Sequence, residues 1–452
     1  MKNVNAARLV PPAPYPGSKD LGPFTRLARM TTSQIDGLPK DVYELDTWCP
    51  PFPGMPLFIM DPDLIKAVLL DEAEDFPQGA LFSRIMKPVW GEGLLLSQGD
   101  AWKSQRRAAA IAFRAGSMAA LTPFFVQATE RALQRWQARG FGQMDLLEEM
   151  KRLTFDIIID TMLSGAEEID RDALRLRIGA LFADISKLKL SYLVRGDAYH
   201  AGRRSQTSVH RAPVVLFLSN LINARRAVPP RGDLLDHLIS AEDPDSGRGL
   251  SDDQLIDNIL GFILAGCETT SVALTWTLYL IASDAPTRAR LLEEVHLQLG
   301  QAPVSKENIG ELRFTGQVIS EALRIYPPAF MLTRIVGRDR MFGDRRLKAG
   351  QRINIPIWAV HRQARNWPDP HAFDPDRFDP ESPAPDRYTY MPFGAGPRIC
   401  IGAAFAMTEM TAVIATLLST VEITPPPRQS VWPETGLALT PRGGMSVTIR
   451  PL

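Results

Sequence analysis

Apolar residues at three- and four-residue spacing recur along most of the sequence. This spacing puts apolar side chains on one face of a helix, and the stretches are too long for strands. They predict helices over Thr122–Arg139, Leu146–Leu163, Asp172–Leu188, Ala212–Arg226 and Ala403–Leu418. Short β-like segments lie mainly near the two ends, at Leu57–Met60, Arg352–Ile357 and Met445–Ile449. The predicted fold class is mainly α with small β-sheets.

The clearest predicted helix begins after Ser251 and continues to about Ala282. Ser251 stands three positions before Gln254, which is the spacing of a capping box. At about 1.5 Å per residue this helix is close to 48 Å long, enough to cross a whole domain. Its middle, Ile259–Ala265, is apolar on every face, which is typical of a helix buried on all sides. We therefore expect a long buried central helix.

Composition favours one large domain. The chain has 452 residues, 45% of them hydrophobic and 23% charged, which suits a globular protein with a sizeable core and excludes a disordered or collagen-like chain. No Gly/Ser linker, low-complexity tract or repeat interrupts it. The prediction is a single domain over residues 1–452, with a proline-rich N-terminal segment at 1–22.

Charge and cysteine content exclude several classes of function. Lys+Arg and Asp+Glu both number 51, so no overall field attracts nucleic acid or an anionic membrane. The N-terminus has no apolar signal region, and runs such as Val214–Leu218 fall short of the roughly 18–20 residues that span a bilayer. The 3 cysteines and 6 histidines form no CxxC or metal-spaced pair. We expect a cytoplasmic protein without a membrane span or a nucleic-acid partner.

The loop Phe393–Gly402 reads FGAGPRICIG and is the most informative stretch. Its glycines let the backbone approach something large and flat, and Cys400 precedes the N-terminus of a predicted helix, whose dipole favours a thiolate. The loop lacks the spacing of a dinucleotide or P-loop motif. Two interpretations stay open from the residues alone: a thiolate that binds a metal cofactor, or a glycine-rich turn with a structural cysteine.

This loop resembles the haem-binding motif of the cytochrome P-450 family, Phe-Gly-x-Gly-x-Arg-x-Cys-x-Gly, at every fixed position. Other stretches resemble family motifs in the same order. They are Trp102–Arg106 (Trp-x-x-x-Arg), Ala265–Thr270 (the oxygen-activation motif of the central helix), Glu321–Arg324 (Glu-x-x-Arg) and Phe373–Phe378, which is similar to Pro-Glu-Arg-Phe. The resemblance covers about Pro51–Leu452 and implies the cytochrome P-450 fold.

The resemblance implies haem b, iron protoporphyrin IX, as the cofactor. Cys400 would be the iron ligand, and its thiolate would favour O–O cleavage. Guanidinium groups suit the carboxylates of the haem propionates. A solvated surface stripe would explain the cations near Trp102 equally well. The implied cofactor-binding residues are Cys400, Phe393, Gly394, Gly402, Ala265 and Gly266, with Trp102, Arg106, Arg334 and Arg398 at the propionates.

The resemblance further implies a structural triad of Glu321, Arg324 and Arg377 behind the haem. Glu321 and Arg324 are i,i+3 neighbours, and such a pair alone is usually a weak surface contact. As a buried network it would hold the Cys400 loop, and breaking it would cost about 3–5 kcal/mol. Asp376 stands where the family often has Glu.

Glu268 and Thr269 are the implied catalytic residues. The resemblance implies that Thr269 serves as a proton donor during dioxygen activation and that Glu268 belongs to the proton supply. The structural alternative is that the Thr269 hydroxyl bonds back to the carbonyl four residues earlier and only bends the helix. Cys267 occupies a variable position of the motif, and we expect it only to pack.

The expected substrate pocket is mostly apolar, although each of its residues could equally belong to the core. His361 is expected to be a structural histidine. The pocket residues implied by the resemblance are Leu81, Phe82, Phe262, Ala265, Ala329, Phe330, Met331 and Leu437.

The implied activity is that of a haem-thiolate monooxygenase, which inserts one atom of O2 into a hydrophobic small molecule. Because no flavin or nicotinamide fingerprint occurs, we expect electrons from a ferredoxin or flavodoxin with its NAD(P)H reductase. A basic cluster of Lys103, Arg106, Arg107 and Arg114 is the predicted docking surface. The alternatives are a peroxide-driven or isomerising haem-thiolate enzyme, a cysteine hydrolase and a helical binding scaffold.

Overall fold

A computed structural model describes most of the chain. The backbone is described for residues 8–14, 22, 25, 28–30, 33–52, 54–163, 170–186, 197–343 and 345–452. Within these ranges, side chains are not described at 80–82, 84–85, 115, 117, 182–186 and 197–208. The predicted end of one helix, at residues 187–188, lies outside the described residues.

Helices form most of the fold, as predicted. The longer ones are α1 (Ala80–Trp90), α2 (Gly99–Ala112), α3 (Thr122–Ala138), α4 (Leu146–Met162), α5 (Arg171–Ser186), α6 (Asp197–Arg226), α7 (Asp252–Ser283), α8 (Ala285–Leu299), α9 (Arg313–Ile325) and α10 (Ala403–Leu418). Shorter helices span Asp41–Glu44, Pro62–Lys66, Ala115–Met118, Leu234–Ile239 and Ile357–Val360, and a π-helical turn spans Ala67–Asp71.

The strands form small sheets beside the helices. They are β1 (Thr47–Trp48), β2 (Leu57–Ile59), β3 (Gly142–Asp145), β4 (Leu332–Ile335), β5 (Arg340–Phe342), β6 (Arg345–Leu347), β7 (Arg352–Ile355), β8 (Val421–Thr424), β9 (Pro433–Thr435), β10 (Leu439–Pro441) and β11 (Ser446–Pro451). The sheet orders are β1-β2-β7-β4, β3-β11-β8, β9-β10 and β5-β6. Only the β2–β7 pair is parallel among the strand pairs described.

The central helix α7 crosses the core. The Ser251 hydroxyl accepts from Gln254 N, and the Gln254 side chain accepts from Ser251 N, so the predicted capping box is present. The helix is long and apolar enough to cross a membrane by length and composition, but 67% of its most apolar window is buried inside the protein. It packs on α4, α9 and α10. Burial in the protein core therefore explains its apolar middle.

Among the described residues, three element boundaries differ from the prediction by about two residues or more. Helix α6 begins at Asp197 rather than Ala212, because its first turns are polar in sequence and continue through Pro213 without an apolar period. Strand β7 ends at Ile355, since Pro356 cannot continue the strand ladder and caps a short helix. The last strand continues to Pro451, beyond the predicted Ile449.

An N-terminal strap, residues 8–14, crosses a part of the chain that comes much later in sequence. Arg8 pairs with Asp374 at 2.9 Å, and Leu9 O accepts from Phe373 N at 2.8 Å. Pro12 O accepts from the Tyr326 hydroxyl at 2.6 Å. The strap is therefore tied to the segment that leads into the Cys400 loop.

Candidate active site

The loop that carries Cys400 is folded tightly on itself. Cys400 N donates to Phe393 O at 2.9 Å, and Ile399 N donates to Gly396 O at 3.1 Å. Gly396 has a φ of 72°, and a Cβ there would lie 1.8 Å from Leu69 O in the π-helical turn. Gly396 is therefore needed because the loop backbone passes close to the π-helical turn. The sequence alone instead predicts close approach of the glycines to a flat ligand.

Cys400 lies in the interior of the protein and lines a cavity, and its side chain is exposed to that cavity. Burial raises the pKa of the Cys400 thiol, while a hydrogen bond from the Gly402 amide and the charge of Arg106 lower it. Burial is the larger effect. The chain alone therefore favours the thiol, and a metal cation at Sγ would supply the charge that holds a thiolate.

The cavity beside Cys400 gathers residues from three parts of the chain. Ala265 and Phe262 of α7 form one wall, and Trp90 with Gly93–Leu96 forms another. Six residues singled out in the sequence are brought together here: Cys400, Trp102, Arg106, Arg398, Phe262 and Ala265.

Three half-buried guanidinium groups near this cavity have no carboxylate partner in the described part of the protein. Burial lowers the pKa of Arg334 to about 10, and it lowers that of Arg398 to about 10 with help from the positive charge of Arg334. Burial also lowers the pKa of Arg106. Arg398 lies 4.4 Å from the Trp102 ring centroid. Because buried unpaired charge is costly, the three cations fit an anionic ligand.

Comparison with known proteins decides the family. The family model described as "Cytochrome P450" matches residues 53–449. The chain belongs to the cytochrome P450 family. The cofactor of this family is haem b, whose iron and two carboxylates fit the Cys400 thiol and the unpaired guanidinium groups. The chain is therefore an oxidoreductase, a P450 monooxygenase.

Relatives from distant organisms match most of this P450. "Cytochrome P450 4F12" of Homo sapiens is 31% identical over 435 residues, covering 88% of this chain and 81% of the relative. "Cyclooctatin synthase" of Streptomyces melanosporofaciens is 31% identical over 400 residues, covering 86% and 84%. "Cytokinin hydroxylase" of Arabidopsis thaliana is 30% identical over 411 residues, covering 88% and 79%. The relatives include proteins named as monooxygenases and hydroxylases.

Solved structures confirm the fold. The crystal structure of the cytochrome P450DA haem domain has a TM-score of 0.79 and 23% identity, covering 95% of this chain and 92% of that chain. Another cytochrome P450 crystal structure, CYP102L1, also has a TM-score of 0.79, at 22% identity. The mainly α class with small sheets and the cytochrome P450 fold are thus both as predicted.

Glu321 and Arg324 of α9 are fully buried and tightly paired. Arg324 Nε and Nη2 donate to the two Glu321 carboxylate oxygens at 2.7 Å each. Arg377 approaches Glu321 at 3.5 Å, but its Nε has no hydrogen-bond partner. The backbone amide of Asp374 donates to Glu321 at 2.8 Å, a contact the sequence did not indicate. The departure from the family motif, Asp376, pairs outside the network with Arg290.

Thr269 and Glu268 lie on different faces of α7. The Thr269 hydroxyl donates to Ala265 O at 2.8 Å, which is the bond of the structural alternative. Thr269 is nevertheless exposed, one turn beyond Ala265 on the cavity wall. Burial raises the pKa of Glu268, whose charged neighbours are Lys151 and Glu148 of α4. Glu268 therefore faces α4, while Thr269 lies on the same face of α7 as Ala265, one turn further along.

Gly266 and Cys267 have packing roles. A Cβ at Gly266 would lie 2.9 Å from Ile158 Cδ1, so close approach of α4 explains the glycine. Cys267 is buried, and its carbonyl accepts from the Thr154 hydroxyl at 3.0 Å. Ala265, the residue before it, lines the cavity, and the role of Gly266 as a cofactor contact stays a prediction.

Glu409 of α10 is a buried acid that the sequence analysis missed. Its residue is 0% exposed, and neither carboxylate oxygen has a hydrogen-bond partner among the described residues. Burial raises its pKa well above the ordinary value, so the protonated form is favoured. The sequence did carry a signal for it, since α10 is apolar nearly throughout and a helix that is apolar on every face is buried on all sides.

The expected substrate residues are only partly gathered at the cavity. Phe262 and Ala265 line it, and Phe262 packs on Phe113 with ring centroids 5.0 Å apart. Phe330 is buried, and Ala329 and Met331 are half-buried. Leu437 is 42% exposed in the turn between β9 and β10. Leu81 and Phe82 lie on α1, but their side chains are outside the described set.

The predicted basic docking surface is largely neutralised. Lys103 pairs with Glu74 at 2.9 Å, and Arg107 donates two hydrogen bonds to Asp243 at 2.6 and 2.9 Å. Arg106 lines the cavity instead of the surface. The sequence could not show this, because the paired acids lie far away in the chain.

His361 has the structural role that the sequence suggested. It is fully buried, and its Nε2 accepts from Met391 N at 2.8 Å. Burial lowers the pKa of His361 to about 3, which keeps the ring neutral. The ring therefore fixes backbone ahead of the Cys400 loop.

Proposed function

We propose that this P450 inserts one oxygen atom from O2 into a hydrophobic small molecule, using electrons from a separate ferredoxin or flavodoxin and its NAD(P)H reductase. The observation that carries the proposal is the cavity that brings Cys400, apolar residues of α7 and the half-buried guanidinium groups of Arg106 and Arg398 together, with no carboxylate partner for either among the described residues. The separate electron donor is supported by the sequence, which has no dinucleotide fingerprint.

Cys400 and the half-buried cations would hold the cofactor. Cys400 Sγ would ligate the iron, and Arg106, Arg334 and Arg398 would neutralise the propionates. Trp102 supports the guanidinium of Arg398 by a cation–π contact. When bound, haem supplies the electron chemistry that activates O2.

Glu268 and Thr269 would move protons. The raised pKa of Glu268 brings its carboxyl closer to neutral pH, where it can both accept and release a proton. The Thr269 hydroxyl donates to Ala265 O and can accept a hydrogen bond from the cavity at the same time. The back bond and a catalytic role are therefore compatible.

The apolar walls would select the substrate and exclude water. Phe262, Ala265 and Leu94–Leu96 offer no hydrogen-bonding side chains to the cavity. An apolar molecule would replace water there at a gain of about 25 cal/mol per Å² of apolar surface buried. Phe330 and Met331 extend this surface in our proposal.

We also propose that residues 1–452 form a single domain that acts in the cytoplasm. One contiguous hydrophobic core includes residues from Ala13 to Ile449, which supports a single domain. The burial of α7 in this core supports a structural origin for its apolar character.

The test is the spectrum of the purified protein. The reduced protein with carbon monoxide is expected to show the far-shifted Soret band of a thiolate complex. Cys400→Ala should abolish this band, while the matched variant Cys267→Ala should keep it. Retention of the band in Cys400→Ala would refute the ligand assignment. Oxidation of NAD(P)H without an added partner would refute the separate electron donor.

A further inference from the structure

The two sides of α7 are held by different kinds of contact. On one side, Gly266 lets α4 approach closely through Ile158. On the other side, residues 91–98, here called the wall segment, connect α1 to α2 and contact the first half of α7 through polar groups. The wall segment and α7 form facing walls of the cavity.

One carboxylate joins three elements at this edge of the cavity. Asp257 of α7 is 8% exposed, and its Oδ2 accepts from Glu92 N of the wall segment at 2.7 Å. Its Oδ1 forms an ion pair with Arg211 of α6. Arg211 Nε also donates to Val89 O, near the end of α1, at 3.3 Å.

The wall segment is shaped to receive this carboxylate. Gly91 has a φ of 66°, and a Cβ there would lie 2.1 Å from the Asp257 carboxylate. The next residue of α7 adds a second tie, because Asn258 Oδ1 accepts from Leu94 N at 2.8 Å and Asn258 Nδ2 donates to Gln105 at 2.8 Å. The glycine therefore allows the contact, and the two ties fix the register of the wall segment.

Polar ties and apolar packing respond differently to opening. When hydrogen bonds and ion pairs separate, water replaces the lost partners, so the net loss is small. Apolar packing such as that between Gly266 and Ile158 has no such replacement. The edge between the wall segment and α7 can therefore open by exchanging its polar partners for water.

We propose that Asp257 is a positioning residue that latches the wall segment and α6 over the cavity, and that breaking its ion pair with Arg211 opens an entry route for substrate. The latch goes beyond the proposed oxygen insertion, because it concerns how molecules reach the cavity. Asp257 itself takes no part in the chemistry.

The chain offers a matched control for this ion pair. Arg226 and Asp252 also join α6 to α7, at 2.7 Å, but their side chains are 38% and 63% exposed. Asp257→Asn keeps an oxygen that can accept from Glu92 N and removes the charge that attracts Arg211. Asp252→Asn removes a charge between the same two helices without touching the wall segment.

Two measurements on the holoenzyme test the latch. The first is amide hydrogen exchange at Glu92 and Leu94, and the second is the association rate of imidazole with the ferric haem in stopped flow. Asp257→Asn should accelerate both about tenfold, equivalent to 1.4 kcal/mol of opening free energy, with an unchanged Soret band. Asp252→Asn should stay within about twofold of the parent protein.

Unchanged rates in Asp257→Asn would overturn the latch, as would an equal acceleration in Asp252→Asn. If Asp257→Asn does not fold, Arg211→Gln breaks the same ion pair from α6 and is held to the same expectations. The exchange measurement does not depend on oxygen chemistry. A failure of the proposed monooxygenase activity with accelerated exchange would therefore leave the latch standing.

Discussion

Replacing Arg324 by methionine removes the centre of the most tightly bonded buried network in the described fold. Besides the two bonds to Glu321, Arg324 donates to His361 O at 2.8 Å, Pro370 O at 2.7 Å and Ala372 O at 2.9 Å. The substitution leaves a buried carboxylate without its cation and three carbonyl groups without this donor. These carbonyls belong to the segment that leads into the Cys400 loop, so both stability and haem retention should suffer.

The expected loss is large compared with total stability. Breaking a buried pair by removing one partner costs about 3–5 kcal/mol. A folded domain is stable by only about 5–15 kcal/mol, so Arg324→Met should lose about a fifth or more of the free energy of unfolding. The control Arg290→Met breaks an ion pair with Asp376 in which both side chains are at least 42% exposed. Exposed pairs contribute about 0–1 kcal/mol.

The assay is urea unfolding followed by circular dichroism, with haem content measured in parallel from the Soret band. Arg324→Met should lower the unfolding midpoint far more than Arg290→Met and should lose haem. The double variant Glu321→Leu with Arg324→Met should be no less stable than Arg324→Met alone, since it removes the stranded carboxylate. A midpoint for Arg324→Met close to that of Arg290→Met would refute this account of the network.

Three further predictions concern single residues near the cavity. Thr269→Ala should keep haem and substrate binding but divert electrons from product to peroxide, measured as product and peroxide per NAD(P)H; unchanged coupling would mean that the hydroxyl only bends the helix. The free energy of unfolding of the parent protein should fall as the pH rises above the ordinary Glu pKa, by up to about 1.4 kcal/mol per pH unit. The reason is that the raised pKa keeps Glu409 protonated in the folded state, while the same acid ionises in the unfolded state. Glu409→Gln should remove this fall. If the urea midpoints of Glu409→Gln and of the parent protein changed equally from pH 5 to 8, this explanation would be wrong. Gly396→Ala should unfold at a lower urea concentration than Gly394→Ala, because both glycines have positive φ but only Gly396 lacks room for a Cβ against the protein. Equal urea midpoints would disprove the packing argument.

Local pattern predicted those parts of the fold that local interactions determine. The capping box of α7 and both ends of α10, Ala403 and Leu418, follow the prediction because caps and apolar periodicity are encoded within a few residues. The first turns of α6 were missed, since their polar sequence gives no apolar face. They are helical as the N-terminal extension of the predicted helix, and no apolar periodicity of their own marks them.

Site residues could be predicted where they belong to a sequence motif. They could not be predicted where only tertiary contacts bring them to the site. Cys400 and Arg398 belong to one contiguous motif, and the structure places both at one cavity. Asp257 and Glu409 have no motif of their own, and their burial depends on which helices pack against them. The acids that pair with the predicted docking surface were missed for the same reason, because Asp243 meets Arg107 from a distance of 136 residues along the chain. The docking surface itself stays a prediction.

The N-terminal strap has a consequence for how the protein is made. Pro12 meets Tyr326 across 314 residues of sequence, and Leu9 meets Phe373 even later. At about 5–20 residues per second on the ribosome, the strap waits roughly 15–60 s for its first partner to be synthesised. Its prolines favour an extended conformation during that interval, which keeps the strap from forming competing helical turns. Docking of the strap is thus a late event of biosynthesis, because Tyr326 is translated 314 residues after Pro12.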